Sequence, residues 1–278
     1  MIFKIRHALK LSYVTPAVLG PQSLRLRPRE DGSQRVLDFH VELSPQPSLL
    51  SACLDEHGNV EARAWFIGDT TGLDVLAEST VETLRPNPFD FVLETDLGPL
   101  PWGRKVLEAH PALAPCLPEQ DEPEAAALAQ ALAREGKGDP LAFVMRMNRW
   151  LHEKISYEKR PEGAAQAPAE TLHHGSGACR DLALLFCAAA RAEGLAARFV
   201  SGYAEGEPEQ RLKDLHAWTE VFLPGAGWRG FDPSSGLACA DRHITLAASP
   251  DPSGAAVLSG RYGAAVAGSR LEAEVMFV

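Results

Sequence analysis

Cys179 stands where a thiol could react. Gly175-Ser176-Gly177-Ala178 precedes it, and the apolar stretch Leu182 to Ala190 follows, ending at Gly194; this predicts a helix over 179–193 surrounded by protein. A residue opening such a helix sits among unpaired backbone N–H groups at the positive end of the macrodipole, which favours the thiolate, the nucleophilic form. Its own N–H is a natural oxyanion donor. His216 opens the alternating run His216-Ala217-Trp218-Thr219-Glu220-Val221-Phe222-Leu223, with Trp218 on the same face. The turn signal Pro224-Gly225-Ala226-Gly227 follows, and Trp228-Arg229-Gly230-Phe231 leads back to Asp232. A hairpin centred on Pro224 sets Asp232 opposite His216, Trp218 opposite Gly230 and Glu220 opposite Trp228. A turn centred one residue later leaves Asp232 diagonal to His216 on the same face. A carboxylate beside an imidazole fixes its tautomer and frees the other ring nitrogen to accept a thiol proton. Taken singly, a helix-start cysteine and a histidine beside aromatics read equally well as packed core residues. Together, Cys179, His216 and Asp232 have the parts and order of a Cys-His-Asp triad.

The elements that must carry these residues fall into two parts. A chain of 278 residues favours two domains. Up to about residue 99 the patterning has period two, as in Leu37, Phe39, Val41 and Leu43 against Asp38, His40 and Glu42, with further strands expected at 73–84 and 89–94. Arg25 and Arg27 alternate with Leu24 and Leu26 and read as the solvated face of a strand. Residues 100–122 are rich in proline and read as a connection. Residues 123–278 form the second domain. It begins with one helix from Pro123, which Gly136 can stop in a left-handed conformation, and another capped by Asp139 with Pro140 behind it. After Gly194 the period returns to two, through strands near 197–203, 216–223, 228–231, 243–247 and 271–278. The expected fold class is α+β: an N-terminal β-sandwich-like domain, then a helix bearing Cys179 packed on an antiparallel sheet.

Composition excludes several functions. The net charge of -10 argues against a nucleic-acid or anionic-membrane surface. Lys4, Arg6, His7 and Lys10 interrupt the first ten residues as a secretory signal, and no apolar run is long enough for a membrane span. Five cysteines without paired spacing suit a reducing compartment, so a cytoplasmic location is expected. His173, His174, Cys179 and His216 lack the paired spacing of a metal site, and Gly175-Ser176-Gly177 lacks the lysine of a phosphate loop. No metal and no cofactor are expected.

The segments Gly177-Ala178-Cys179-Arg180-Asp181, Ala197 to Tyr203, His216 to Val221, Gly227-Trp228 and Phe231-Asp232-Pro233 resemble, in order and spacing, those of the transglutaminase-like superfamily of bacterial cysteine proteases. Leu24 to Arg29 and Glu82 to Phe89 are similar to the β-domain that often precedes that core. The resemblance implies a papain-like core and acyl-transfer chemistry on an amide of a peptide or protein, through a thioester. Hydrolysis is preferred slightly over transfer to a primary amine. It also implies a second, aromatic oxyanion donor, for which Tyr157 and Trp150 are candidates by position. Trp218 and Asp181 are further cleft candidates, Asp181 and Arg180 being read as holding the helix start or lining the cleft. The alternative reading is a catalytically idle binding module that retains the triad.

Overall fold

The computed structural model describes residues 1–94, 96–118, 122–161, 163–206, 212–263 and 268–278. Its N-terminal part is built on strands β1 (Ile2–Leu24), β2 (Gln34–Ser44), β3 (Leu49–Leu54), β4 (Val60–Trp65) and β5 (Asp69–Thr83). Alternation decides which face is buried. Phe3, Ile5, His7, Leu9 and Tyr13 of β1 point inward, and Leu73, Val75, Ala77 and Val81 of β5 join them. The register matches this pattern, pairing Phe3 with Val81, His7 with Ala77 and Leu9 with Val75.

Of residues 100–122, read from sequence as a proline-rich connection, 119–121 lie outside the described residues; the part that is described carries core residues. It forms a short helix α1 (Val106–Ala109) and a 3-10 turn at Pro111–Cys116, and Leu100, Trp102, Val106, Leu113 and Leu117 lie in the core of the second part. Proline prevented long elements there without preventing burial. Helices α2 (Pro123–Glu135) and α3 (Pro140–Lys154) follow, the latter capped by Asp139, whose carboxylate accepts from the Ala142 N–H at 2.6 Å. Gly136 keeps a negative φ; the left-handed residues after α2 are Lys137 and Gly138. Strand β6 (Ser156–Tyr157), helix α4 (Pro168–His174) and strand β7 (Ser176–Gly177) lead into helix α5 (Cys179–Ala192).

Beyond α5 come β8 (Ala197–Ala204), β9 (Leu212–Lys213), β10 (His216–Leu223), β11 (Gly227–Asp232), β12 (Leu237–Ala238), β13 (His243–Ser249), β14 (Leu258–Tyr262) and β15 (Ser269–Phe277). The second sheet has the order β12-β11-β10-β8-β13, all antiparallel. Leu182, Leu185 and Phe186 of α5 share one core with Phe199, Ala217, Val221 and Phe231 of this sheet.

Three further sequence expectations change. The last strands, read as part of residues 123–278, return to the first sheet: β15 pairs with β1 from Ile5↔Phe277 to Tyr13↔Ser269, and β14 pairs with its far end. Period two marks a strand but does not say which sheet it joins. Residues 89–94 form no strand; they cross the β10–β11 turn, where the Glu94 N–H donates to the Pro224 carbonyl at 3.0 Å. Arg25 is not solvated, since Asp55 and Glu61 bind its guanidinium at 3.1 and 2.6 Å.

The two sheets are joined by side chains that behave as backbone. Gln34, 2% exposed, accepts from the Thr245 N–H and donates to the Thr245 carbonyl, both at 2.8 Å. Asn59, fully buried, does the same for Ala248 at 2.8 and 2.9 Å. These amides satisfy the edge of β13 that faces away from β8. Replacing Asn59 with leucine strands two buried backbone groups and should cost on the order of 3 kcal/mol, read as a lower urea midpoint.

His7 lies fully buried in the same region, 3.0 Å from the Tyr203 hydroxyl on β8. Burial pushes its pKa down to about 4 from 6.5. The folded protein thus holds fewer protons than the unfolded chain, so this contribution is complete above pH 6.5 and is lost as pH falls towards 4. Unfolding measured across that window should show a loss of roughly 3 kcal/mol that a His7→Gln variant lacks.

Candidate active site

Cys179 occupies the first position of α5, where its N–H has no acceptor within the helix. The approach to it is held by Asp181. That carboxylate is fully buried and accepts from the Ala178 N–H and the Gln166 N–H, each at 2.8 Å, and from Arg160 at 2.5 Å. Held by these three donors, Asp181 fixes the strand-to-helix junction. The short strands β6 and β7 run parallel, pairing Tyr157 with Gly177, two residues before the cysteine. Tyr157 is therefore brought towards Cys179 by backbone pairing. Its ring is half exposed, and burial, followed by the charges of Cys179, Asp214 and Asp232, raises its pKa.

On the sheet side, β10 and β11 pair Thr219 with Phe231, Glu220 with Gly230, Phe222 with Trp228 and Leu223 with Gly227. The hairpin is centred on Gly225, not Pro224. The Ala226 N–H bonds to the Leu223 carbonyl at 2.9 Å with Pro224 and Gly225 between them, and Gly225 has φ +83°. Proline second and a positive-φ glycine third is the requirement of a type II turn, which moves the centre by one residue. Asp232 accordingly lies diagonal to His216 on the same face, and the pair meets there: His216 Nε2 donates to Asp232 Oδ2 at 3.0 Å.

A carboxylate only accepts, so His216 carries a hydrogen on Nε2 and presents Nδ1 to the thiol. Cys179 acts on the same imidazole from the start of α5 and raises its pKa. Burial disfavours charge on the imidazole, but the Asp232 charge and hydrogen bond, reinforced by Cys179, outweigh it and push His216 up to about 10. Asp232 is 2% exposed. Burial would raise its pKa, yet His216 and His243 hold it well below the usual carboxylate range.

The other sequence candidates separate clearly. Trp218 is 1% exposed and lies between two imidazoles, 6.3 Å from the His216 ring centroid and 5.4 Å from that of His243. It is a packing wall. Gly202, paired with His216 across β8, lies directly beneath this ring, and a Cβ there would collide with it. Trp150 packs partly buried against the helical core on α3. His173 and His174 stand exposed at the end of α4. Of the remaining thiols, Cys116, Cys187 and Cys239 are pushed upward chiefly by burial, while Cys53 is exposed.

Sequence reasoning passed over His243. It opens β13, and its Nε2 lies 3.3 Å from Asp232 Oδ2. Strands β11 and β13 are separated by β10 and β8, roughly 14 Å in a flat sheet. The contact exists because the sheet curls. A histidine opening a mostly apolar strand, as His216 does for β10, was the available signal.

A thiol at a helix start, acting on an imidazole that an antiparallel sheet carries and a buried carboxylate binds, is an arrangement suited to a cysteine-dependent enzyme. The comparisons agree and narrow the class. Residues 126–233 match the transglutaminase-like superfamily core, and residues 3–82 match the bacterial transglutaminase-like N-terminal region. The chain belongs to the transglutaminase-like superfamily. An uncharacterized protein of Mycobacterium leprae is 24% identical over 93% of this chain and 92% of its own length. A protein-glutamine gamma-glutamyltransferase of Pseudomonas aeruginosa is 33% identical over 44% of this chain but 20% of its own length. The fold is shared with a crystal structure of a "putative cysteine protease" from Cytophaga hutchinsonii, with TM-score 0.71, 20% identity, and coverage of 100% and 98% of the two chains.

The raised pKa of His216 carries a sign opposite to that of His7. Stability from the protonated imidazole is present below pH 6.5 and is lost as pH rises towards 10. Asp232→Asn removes the partner charge, so the variant should lose less stability than wild type between pH 7 and 10, as read by thermal unfolding.

Proposed function

We propose that this protein hydrolyses amide bonds of a peptide or protein through a Cys179 thioester. The observation that carries the reading is the His216 Nε2 to Asp232 Oδ2 bond at 3.0 Å, which leaves Nδ1 for the thiol at the start of α5. Cys179 Sγ attacks the carbonyl carbon, and the negative charge passes to oxygen, towards the Cys179 N–H. His216 gives its Nδ1 proton to the departing amine, the C–N bond breaks and the thioester remains. Water then loses a proton to Nδ1 and attacks the thioester carbon; the C–S bond breaks, releasing a carboxylic acid and the thiolate. Tyr157 is the better placed of the two aromatic candidates for a second oxyanion donor, since its hydroxyl interacts with Cys179 while Trp150 packs in the core.

Hydrolysis is preferred to transfer onto a primary amine because His216 is partly exposed and Tyr157 half exposed, which admits water. The gamma-glutamyltransferase relative supports amine transfer as the second reading. A cytoplasmic location goes with this proposal and is supported by five free thiols. Among the described residues no helix is long and apolar enough to cross a membrane.

Incubation with a diverse peptide library, with and without a primary amine, separates the outcomes by product mass: cleavage, side-chain deamidation or amine incorporation. Cys179→Ala should abolish every product. Asp232→Asn should slow turnover by about three orders of magnitude through the wrong imidazole tautomer, and Tyr157→Phe by about tenfold to a hundredfold. Turnover that survives Cys179→Ala would place the site elsewhere. A library that stays untouched while Cys179 shows no more reactivity than an ordinary thiol would favour the idle binding module.

A further inference from the structure

We propose that His243 is a positioning residue of this site: its Nε2–H anchors Asp232 from β13 so that Oδ2 faces His216. The proposal rests on the thiol chemistry above for its purpose. Asp232 Oδ2 accepts from His216 Nε2 at 3.0 Å, His243 Nε2 at 3.3 Å and the Ser235 hydroxyl at 2.9 Å, and Oδ1 accepts from the Ser234 N–H at 2.9 Å. Ser234 and Ser235 follow Asp232 in the same turn and move with it. His216 is the group to be oriented. Among these donors, His243 alone ties the carboxylate to a separate part of the fold.

The anchor is itself fixed. The His243 ring meets the Trp218 ring edge-on at an interplanar angle of 75°, and its side chain is 10% exposed. Two residues along β13, Gln34 grips the backbone of Thr245. On its other side, His243 Nδ1 is buried without a hydrogen-bond partner among the described residues. A buried ring nitrogen without a partner costs stability, which marks Asp232 as the contact that justifies placing a histidine there. Asp232 and Cys179 act on His216; His216 and His243 act on Asp232, whose charge in turn raises Cys239 and Tyr157.

The test needs no substrate. In a Cys53→Ser background, so that Cys179 is not masked by the exposed thiol, His243→Phe keeps a ring against Trp218 and removes the donor, and His243→Gln keeps a donor. The His216 titration is followed by nitrogen-15 NMR of labelled histidines and assigned with His216→Ala; the alkylation rate of Cys179 by iodoacetamide is measured at pH 7. His243→Phe should lower the His216 midpoint by about one pH unit and slow alkylation roughly tenfold, with the glutamine variant near wild type in both. The proposal is overturned if the phenylalanine variant leaves the midpoint unchanged or raises it, or if the glutamine variant falls as far. Should His243→Phe fail to fold, His243→Met, apolar and without an N–H, replaces it in the same comparison. A normal His216 dependence on His243 with an untouched peptide library would sink the amide chemistry alone; turnover of the library with an unshifted His216 would sink the role of His243 alone.

Discussion

A carboxylate withdrawn from water must replace its hydration with donors or give up its charge, and the second half of this fold is arranged around that requirement at Asp232. Four groups converge on its two oxygens: two imidazoles, one hydroxyl and one backbone N–H. They come from β10, β13 and the turn after β11, so the strands must be in register, and the sheet curled, before the charge is tolerable. Trp218 fills the inside of the curl, and Gly202 makes room for it by having no side chain. The imidazole charge that could serve a thiol is thus a consequence of how one buried anion is satisfied.

The N-terminal domain enters the same arrangement through an edge. β13 is the last strand of the second sheet, and its outer backbone groups would face an apolar core. Gln34 and Asn59 supply the missing ladder with two primary amides, each copying the donor and acceptor of a strand residue. Tyr203, Ile244 and Leu246 of the second sheet then share a core with β1 and β5. The two sheets are therefore parts of one packed body at this seam.

Much of this was readable from the sequence because it is local. The helix start at Cys179, the cap at Asp139 and the strand at 216–223 follow from period, punctuation and capping chemistry, which act over a few residues. The hairpin register was readable to within one residue, and the type II geometry of Pro224-Gly225 decided between the two readings. The contact of His243 with Asp232 was not readable, because it depends on sheet order and curl, both set by residues far away in sequence. The same is true of β14 and β15, whose alternation gives no address. Asp181 was placed beside Cys179 by sequence, but its three donors come from 160, 166 and 178, and only the folded chain shows that they converge on it.

The long strand β1 has one further consequence, for the order of events on the ribosome. Its hydrogen-bonding edge towards β5 is paired soon after synthesis, but its other edge waits for Ser269–Phe277, which emerges more than two hundred and fifty residues later. Throughout that interval the nascent chain carries an open row of backbone donors and acceptors, beside Ile5 and Leu9, whose side chains end buried. Completion of the first domain is thereby deferred until the residues of the second have been made. A chain stalled before residue 269 would hold all three chemical groups of the site and still present an unpaired strand to its neighbours.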